Sequence, residues 1–210
     1  MSALPITTIL FDFGGVIQVP LDPAGVRRQR DELARQLGYP DGRAMWLAFY
    51  TGPEWQAAKT GRMTGAEMWD ALLTPHNIPG REAQTQFLRQ LFAGEGLLPA
   101  MRDLLARLHG RYRLGILSNA DDRLEGWLAG HYHIAHFFDA IVNSHRIGVA
   151  KPDPAAFEMA LARLGARPGQ VYFIDDQARN TAAAAALGMT VHTFTGLEPL
   201  LADLQARQLL

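Results

Sequence analysis

The feature that most restricts the fold of this chain is a recurring pair, a short β-branched or aromatic run followed by an amphipathic helical stretch. Thr7 to Phe13, Tyr112 to Leu117, Ala140 to Val142, Val171 to Ile174 and Thr190 to Phe194 read as short buried strands. Between them, Met101, Leu104, Leu105 and Leu108 fall at i, i+3, i+4 and i+7, opened by Pro99 and closed by Gly110. Phe157, Ala160, Leu161 and Leu164 repeat that spacing ahead of Gly165. Strand and helix alternate from residue 97 onward, which predicts an α/β fold with a Rossmann-like parallel sheet, helices on both faces.

The stretch between the first strand and Gly96 breaks this pattern. It carries helix signals and no convincing strand beyond a short flap at Val16 to Val19. Asp22-Pro23 caps and opens a segment carrying Val26, Leu33 and Leu37, and Gly38 stops it. Pro53 opens another around Trp55, and Thr64 to Glu67 has the capping-box pattern ahead of Met68, Trp69, Leu72 and Leu73. Phe87, Leu88 and Leu91 mark a further amphipathic turn. The expected organisation is a core of residues 1–18 and 97–210, with an all-helical cap of residues 19–96 inserted after strand one. Hinges are expected at Val19 to Asp22 and Ala93 to Leu98, where Pro20, Gly94 and Gly96 fall.

Composition removes several function classes. Without cysteine there is no disulfide framework, no thiolate zinc site and no cysteine nucleophile. A formal net charge of -1 provides no global pull toward nucleic acid or an anionic membrane. The chain lacks a signal-like N-terminus and any apolar run of about 18 residues, so a cytoplasmic protein without a membrane partner is expected. Only Lys59 and Lys151 are lysines, whereas eighteen residues are arginine. GC-rich coding accounts for that bias, and it makes each retained lysine worth attention.

Chemistry gathers at the strand ends. Asp12 follows strand one, Ser118-Asn119 follow Ile116-Leu117, Lys151 lies in the loop after Ala140 to Val142, and Asp175-Asp176 follow Phe173-Ile174. In an open parallel sheet, ligands bind outside the carboxyl ends of the strands, so residues far apart in sequence converge there. Three carboxylates in one crevice repel each other unless a cation sits among them, and a hard divalent ion such as magnesium, with a substrate phosphate, suits oxygen ligands.

These segments resemble the four motifs of the haloacid dehalogenase-like superfamily, in order: Ile9 to Ile17, Ile116 to Asn119, Gly148 to Asp153, and Phe173 to Asp176 with Asn180 and Gly188-Met189. The insert resembles that family's type C1 helical cap, and Gly61 to Thr64 resembles a cap segment of its phosphatase-like subclass. Small sugar-phosphate phosphatases and the phosphatase domain of soluble epoxide hydrolase are similar. The resemblance implies a magnesium-dependent phosphatase acting on a small phosphorylated metabolite through an aspartyl-phosphate. Asp12 would be the nucleophile, with Lys151 and Ser118 as its catalytic partners. Ser118, the Asn119 amide, Lys151 and Gly14 would hold the phosphoryl group, Ser118 and Asn119 at a helix N-terminus. Asp12, the Gly14 carbonyl, Asp176 and Asp175, directly or through water, would hold the metal.

Gly14 departs from the pattern, because many phosphatases of this family carry there the aspartate that protonates the leaving group. That chemistry is worth about 10² to 10⁴-fold, so its loss keeps two other readings in view. An L-2-haloacid dehalogenase expels halide, which needs no proton, and a phosphate-binding protein of the same fold would turn over little. Lys59, the only lysine of the insert, reads as a solvated helix end. His131, His133 and His136 read as surface histidines, Arg27, Arg28 and Arg30 as a solvated face, and Trp46, Trp55 and Trp69 as cap core.

Overall fold

The computed structural model describes residues 4–210. In chain order, β1 (Thr8–Phe11) is followed by β2 (Gln18–Pro20) and then by helices α1 (Pro23–Gln36), α2 (Gly42–Thr51), α3 (Pro53–Ala58), α4 (Gly65–Leu73) and α5 (Arg81–Leu91). Next come β3 (Glu95–Leu97), α6 (Pro99–Leu108), β4 (Arg113–Ser118), the short α7 (Leu124–Gly126) and β5 (Ala140–Asn143). The chain finishes with α8 (Ser144–Ile147), α9 (Pro154–Leu164), β6 (Val171–Asp175), α10 (Ala178–Ala186), β7 (Thr190–Thr193) and α11 (Leu197–Ala206). No helix among the described residues is long and apolar enough to cross a membrane.

Five strands form one parallel sheet in the order β5-β4-β1-β6-β7, the predicted α/β architecture. Strand residues alternate between two apolar layers because successive side chains point to opposite faces. Ile9, Phe11, Ile116, Tyr172 and Ile174 pack with Met101, Leu104 and Leu108 of α6 and with Leu200 and Leu204 of α11. Leu10, Leu117, Val142 and Phe173 pack on the other face with Phe157, Ala160 and Leu164 of α9. Burial on both faces is why these strands read as continuous apolar runs. Gly115 lets α9 come close, since a Cβ there would lie 2.7 Å from Leu164 Cδ1. β1 and β6 are central and adjacent, so Asp12 and Asp175 leave the sheet side by side.

A third apolar cluster lies in the inserted helices, around Leu33, Met45, Phe49, Met68, Trp69, Phe87 and Leu91. Trp69 is buried in it and Trp46 and Trp55 pack against it, as expected of core tryptophans. The capping box at α4 is formed, Thr64 accepting from the Glu67 N–H and the Glu67 carboxylate accepting from the Thr64 N–H. Two expectations are corrected. Asp22 makes no side-chain cap on α1, and its carboxylate lies near the exposed Arg28. The two connections between core and insert carry short strands, β2 and β3, which pair antiparallel with Val19 opposite Gly96. Arg27 and Arg28 are solvated, but Arg30 turns inward, pairs with Glu95 on β3, and lies 3.8 Å over the Trp46 ring. That ion pair and the ribbon join the insert to the strands through which the chain enters and leaves it.

Candidate active site

Asp12 is the first residue beyond β1, where the backbone still holds sheet register through its N–H to the Ile174 carbonyl, 2.8 Å. The turn that follows is tight: the N–H groups of Ile17 and Gln18 both donate to the Phe13 carbonyl at 2.9 Å. This folds the chain back and leaves Asp12 buried, 7% exposed. Its Oδ1 accepts from the Phe13 N–H at 2.7 Å and lies 3.0 Å from Lys151 Nζ. Both ties fall on one oxygen and leave Oδ2 without a protein partner.

Lys151 is fully buried, an unusual place for a lysine, which is almost never so without a partner. Its ammonium bridges Asp12 and Asp175, reaching Asp175 Oδ2 at 2.6 Å. Asp175 is held from three sides. The Gln177 N–H donates to Oδ1 at 2.8 Å, and Asn180 Nδ2 reaches the two oxygens at 3.0 and 3.1 Å. Asp176 is half-buried and accepts from Gln177 Nε2 at 2.6 Å. One carboxylate oxygen from each of Asp12, Asp175 and Asp176 lies within 4.8 Å of the others, the one such group of possible metal ligands among the described residues.

The electrostatics follow from that crowding. Burial pushes the Asp12 carboxyl up to about 7, Lys151 opposes the rise, and Asp175 adds to it. Burial also raises Asp176, with the Gln177 amide working against it. A single ammonium does not balance three carboxylates, so the site favours a further cation. An all-oxygen donor set of this size and charge fits a hard divalent ion such as magnesium. Asp12 and Asp176 offer the freer oxygens, whereas those of Asp175 are engaged by Lys151, Asn180 and Gln177.

Gly15 explains how Asp176 comes so close to the turn. Its φ is +81°, and a Cβ there would lie 2.7 Å from Asp176 Oδ2. Alanine at 15 is therefore expected to cost roughly 1–2 kcal/mol for the left-handed backbone alone, to lower Tm by roughly 2–4 °C per kcal/mol, and to displace Asp176. A thermal melt with and without magnesium checks this, and a Gly15→Ala chain as stable and as magnesium-responsive as the parent refutes it. Gly14 is different. A Cβ there would meet nothing within 4 Å, so packing is not what keeps an acid from this position.

The loop after β4 corrects one expectation. No helix begins at Ser118-Asn119; the next helical residue is Leu124, so these residues do not sit at a helix N-terminus. Ser118 is buried at the strand end. The Asn119 side chain is spent on the Lys151 backbone, accepting its N–H and donating to its carbonyl, each at 2.8 Å. Asn119 thus fixes the loop that delivers Lys151. Asn180, part of the fourth motif, orients Asp175, and its position one turn beyond the acidic pair is the sequence signal for that role. His131, His133 and His136 are all exposed.

A cavity of about 560 Å³ opens between the insert and the core, walled by Gln18, Phe92, Glu95, Arg123, Trp127 and Tyr132 among others. It borders the Asp12 turn through Gln18 but takes none of the cluster's carboxylates as lining.

Residues 6–188 match the haloacid dehalogenase-like hydrolase family, and the chain belongs to that family. It is 27% identical over 181 residues to the fructose-1-phosphate phosphatase YqaB of Escherichia coli, covering 86% of this chain and 92% of that protein. A phosphoglycolate phosphatase of Pseudomonas putida is 26% identical over 187 residues, 86% of this chain and 66% of that protein. Among solved structures, a haloacid dehalogenase-family enzyme of Bacteroides thetaiotaomicron, in complex with magnesium and inorganic phosphate, superposes with a TM-score of 0.71 at 22% identity, covering 90% of this chain and 93% of that one. The L-2-haloacid dehalogenase of Xanthobacter autotrophicus shares the fold at a TM-score of 0.62 and 21% identity, covering 96% of this chain and 83% of that one.

Proposed function

We propose that this hydrolase is a magnesium-dependent phosphatase that acts on a small phosphorylated metabolite through an aspartyl-phosphate on Asp12. The observation that carries the reading is the placement of Asp12 Oδ1 against Lys151 while Asp175 and Asp176 converge beside it. Residues 1–18 and 97–210 form the catalytic core, and residues 19–96 form a cap over it. Asp12 and Asp176, with the Gly14 carbonyl and Asp175, would hold the magnesium. When bound, the ion supplies positive charge that offsets the repulsion between a carboxylate and a phosphate dianion.

The chain's own residues do the rest. Lys151 holds Asp12 in place and points its ammonium at the side from which a phosphoryl oxygen approaches. Ser118, buried at the end of β4, offers a hydroxyl to another phosphoryl oxygen. Asp12 Oδ2 attacks phosphorus in line, an O–P bond forms, and the ester P–O bond breaks. Gly14 provides no acid, so the leaving oxygen takes its proton from water. Hydrolysis of the acyl phosphate then returns Asp12 as carboxylate. The relatives named for phosphatase activity support this reading.

Phosphate release from p-nitrophenyl phosphate tests it. Release is expected with magnesium, lost in EDTA and restored by excess magnesium. Chloride release from 2-chloropropionate in EDTA, with no phosphate release under any condition, would instead establish the dehalogenase chemistry that Gly14 permits.

A further inference from the structure

The insert meets the core at a second place, remote in sequence from the β2–β3 ribbon. The connector between α3 and α4 carries Lys59, half-buried where a solvated helix end was expected, and it lies on the segments that follow β4 and β5. His145 Nδ1 donates to the Ala58 carbonyl at 2.7 Å, and the Gly65 N–H, at the start of α4, donates to Asp122 Oδ1 at 2.6 Å. Between and at these ties the insert's backbone comes very close. A Cβ at Gly61 would lie 2.4 Å from the His145 carbonyl oxygen, and a Cβ at Gly65 would lie 2.6 Å from Asp121 Oδ2 and 2.9 Å from Arg123 Nε. Only residues without a side chain permit that approach.

The segments under the connector carry groups that the phosphatase reading uses. The loop after β4 begins with Ser118 and Asn119, and the Asn119 side chain holds the Lys151 backbone. The same loop is laced to the end of β5 and to α8. Asn143 Nδ2 donates to the Asp121 carbonyl at 2.8 Å, the Ala120 N–H to Ser144 Oγ at 3.1 Å, and Arg146 Nη2 to the Asp122 carbonyl at 3.0 Å. Its two acids differ. Asp121 is engaged inside the loop, accepting from the Arg123 N–H at 2.9 Å and from Arg123 Nη2 at 2.5 Å. The Asp122 carboxylate has the Gly65 N–H as its one hydrogen-bond partner among the described residues. A carboxylate there satisfies a donor that the helix itself leaves unpaired and meets the positive end of the helix dipole.

Resting on the phosphatase reading, we propose that Asp122 is a positioning residue for the reaction: its carboxylate seats the first turn of α4, and the seated helix fixes the loop that presents Ser118 and, through Asn119, Lys151. Gly65 is the insert's half of the same contact. The β2–β3 ribbon joins insert and core through the chain itself, whereas this seat is non-covalent and is lost with one side chain. Its loss leaves the capping box of Thr64 and Glu67 in place, so the helix survives while its dock does not.

Gly65→Ala tests this without harming the helix, because alanine is the stronger helix former and only the approach to Asp121 is blocked. Gly65→Ala and Asp122→Ala are each expected to lower kcat for p-nitrophenyl phosphate by roughly 10- to 100-fold, the scale of a small misplacement of reacting groups, with KM within about threefold. Asp122→Asn keeps an acceptor for the Gly65 N–H and should recover most of the activity. The double variant should lose no more than the worse single one, because both changes break one contact. A loss below about fivefold in either single variant, a loss carried by KM, additive losses, or an Asp122→Asn chain as impaired as Asp122→Ala overturns the inference. Hydrogen exchange on the substrate-free chains separates it from the phosphatase reading. Faster exchange over 58–65 and 118–124 together, with the sheet strands unchanged, supports the coupling even where no phosphate is released. Faster exchange over 58–65 alone, or across the whole chain, rejects it.

Discussion

Arginine in place of Lys151 is expected to lower kcat/KM for phosphate release by roughly 10²- to 10³-fold, the cost of losing one preorganised donor at a site of developing charge, although formal charge is unchanged. The reason is space and shape. The ammonium lies fully buried between Asp12 Oδ1 at 3.0 Å and Asp175 Oδ2 at 2.6 Å, and 5.5 Å over the Phe173 ring. A compact point charge with rotatable donors fits that gap, whereas a planar guanidinium fork is longer and presents its donors in one fixed geometry. Forcing it in costs on the order of 1–3 kcal/mol of overpacking. Methionine at 151 makes a sharper contrast: it preserves volume but leaves the acids uncompensated, at about 3–5 kcal/mol for breaking a buried pair. Steady-state kinetics and thermal melts of both variants decide the matter. Lys151→Arg activity within fivefold of the parent would show that charge alone suffices.

Most of the architecture was legible because the inner strands β1, β4 and β6 are buried on both faces, and such strands announce themselves as apolar runs. The observed β4, Arg113–Ser118, and β6, Val171–Asp175, lie within a residue of their expected bounds. Glycines and prolines at helix ends were equally clear, as at α6, which opens on Pro99, and at α9, which closes on the left-handed Gly165. What escaped was non-local. The β2–β3 ribbon consists of Gln18–Pro20 and Glu95–Leu97, segments whose Pro20 and Gly96 read as hinge residues. Only the return of the chain after five helices makes them partners. Trp46 was expected on a helix of the insert, but the bounds of α2 were not, since its Met45, Trp46, Phe49 and Tyr50 lack the polar stripe that marks an amphipathic period.

The same division runs through the site. Residue types at strand ends, Asp12, Ser118, Lys151, Asp175 and Asp176, were visible because topology alone brings such ends together. Their orienting partners were not. That the Asn119 side chain clamps the Lys151 backbone, that His145 donates to the Ala58 carbonyl, and that Asp122 accepts from the Gly65 N–H depends on contacts between segments distant in sequence. Arg30 shows the limit of a charge run as a signal: two of its members face water, and the third pairs with Glu95 against the Trp46 ring.

Asp12→Asn is expected to reduce phosphate release by at least about 10³-fold, toward the scale seen when a nucleophile is removed, and to stabilise the cation-free chain. The two effects share one cause. Burial raises the Asp12 carboxyl to about 7 in the folded chain, against about 3.9 for an unperturbed aspartate. The folded state thus binds this proton more tightly than the unfolded state does. Stability without a cation is full below the unfolded value, falls as pH rises through the window from about 4 to 7, and levels off above it. Asparagine accepts the same hydrogen bonds from Phe13 and Lys151 on its Oδ1 and carries no charge to bury. In EDTA its melting temperature should exceed the parent's at pH 8, with the gap narrowing as pH falls toward 4. Magnesium should reverse the order, since a ligand at 100 times its Kd adds about 2.7 kcal/mol to the chain that binds it, and the variant has lost one of the ion's ligands. A parent chain at least as stable as Asp12→Asn at pH 8 in EDTA would show that Lys151 alone neutralises the site, and the case for a resident cation would lose its electrostatic basis.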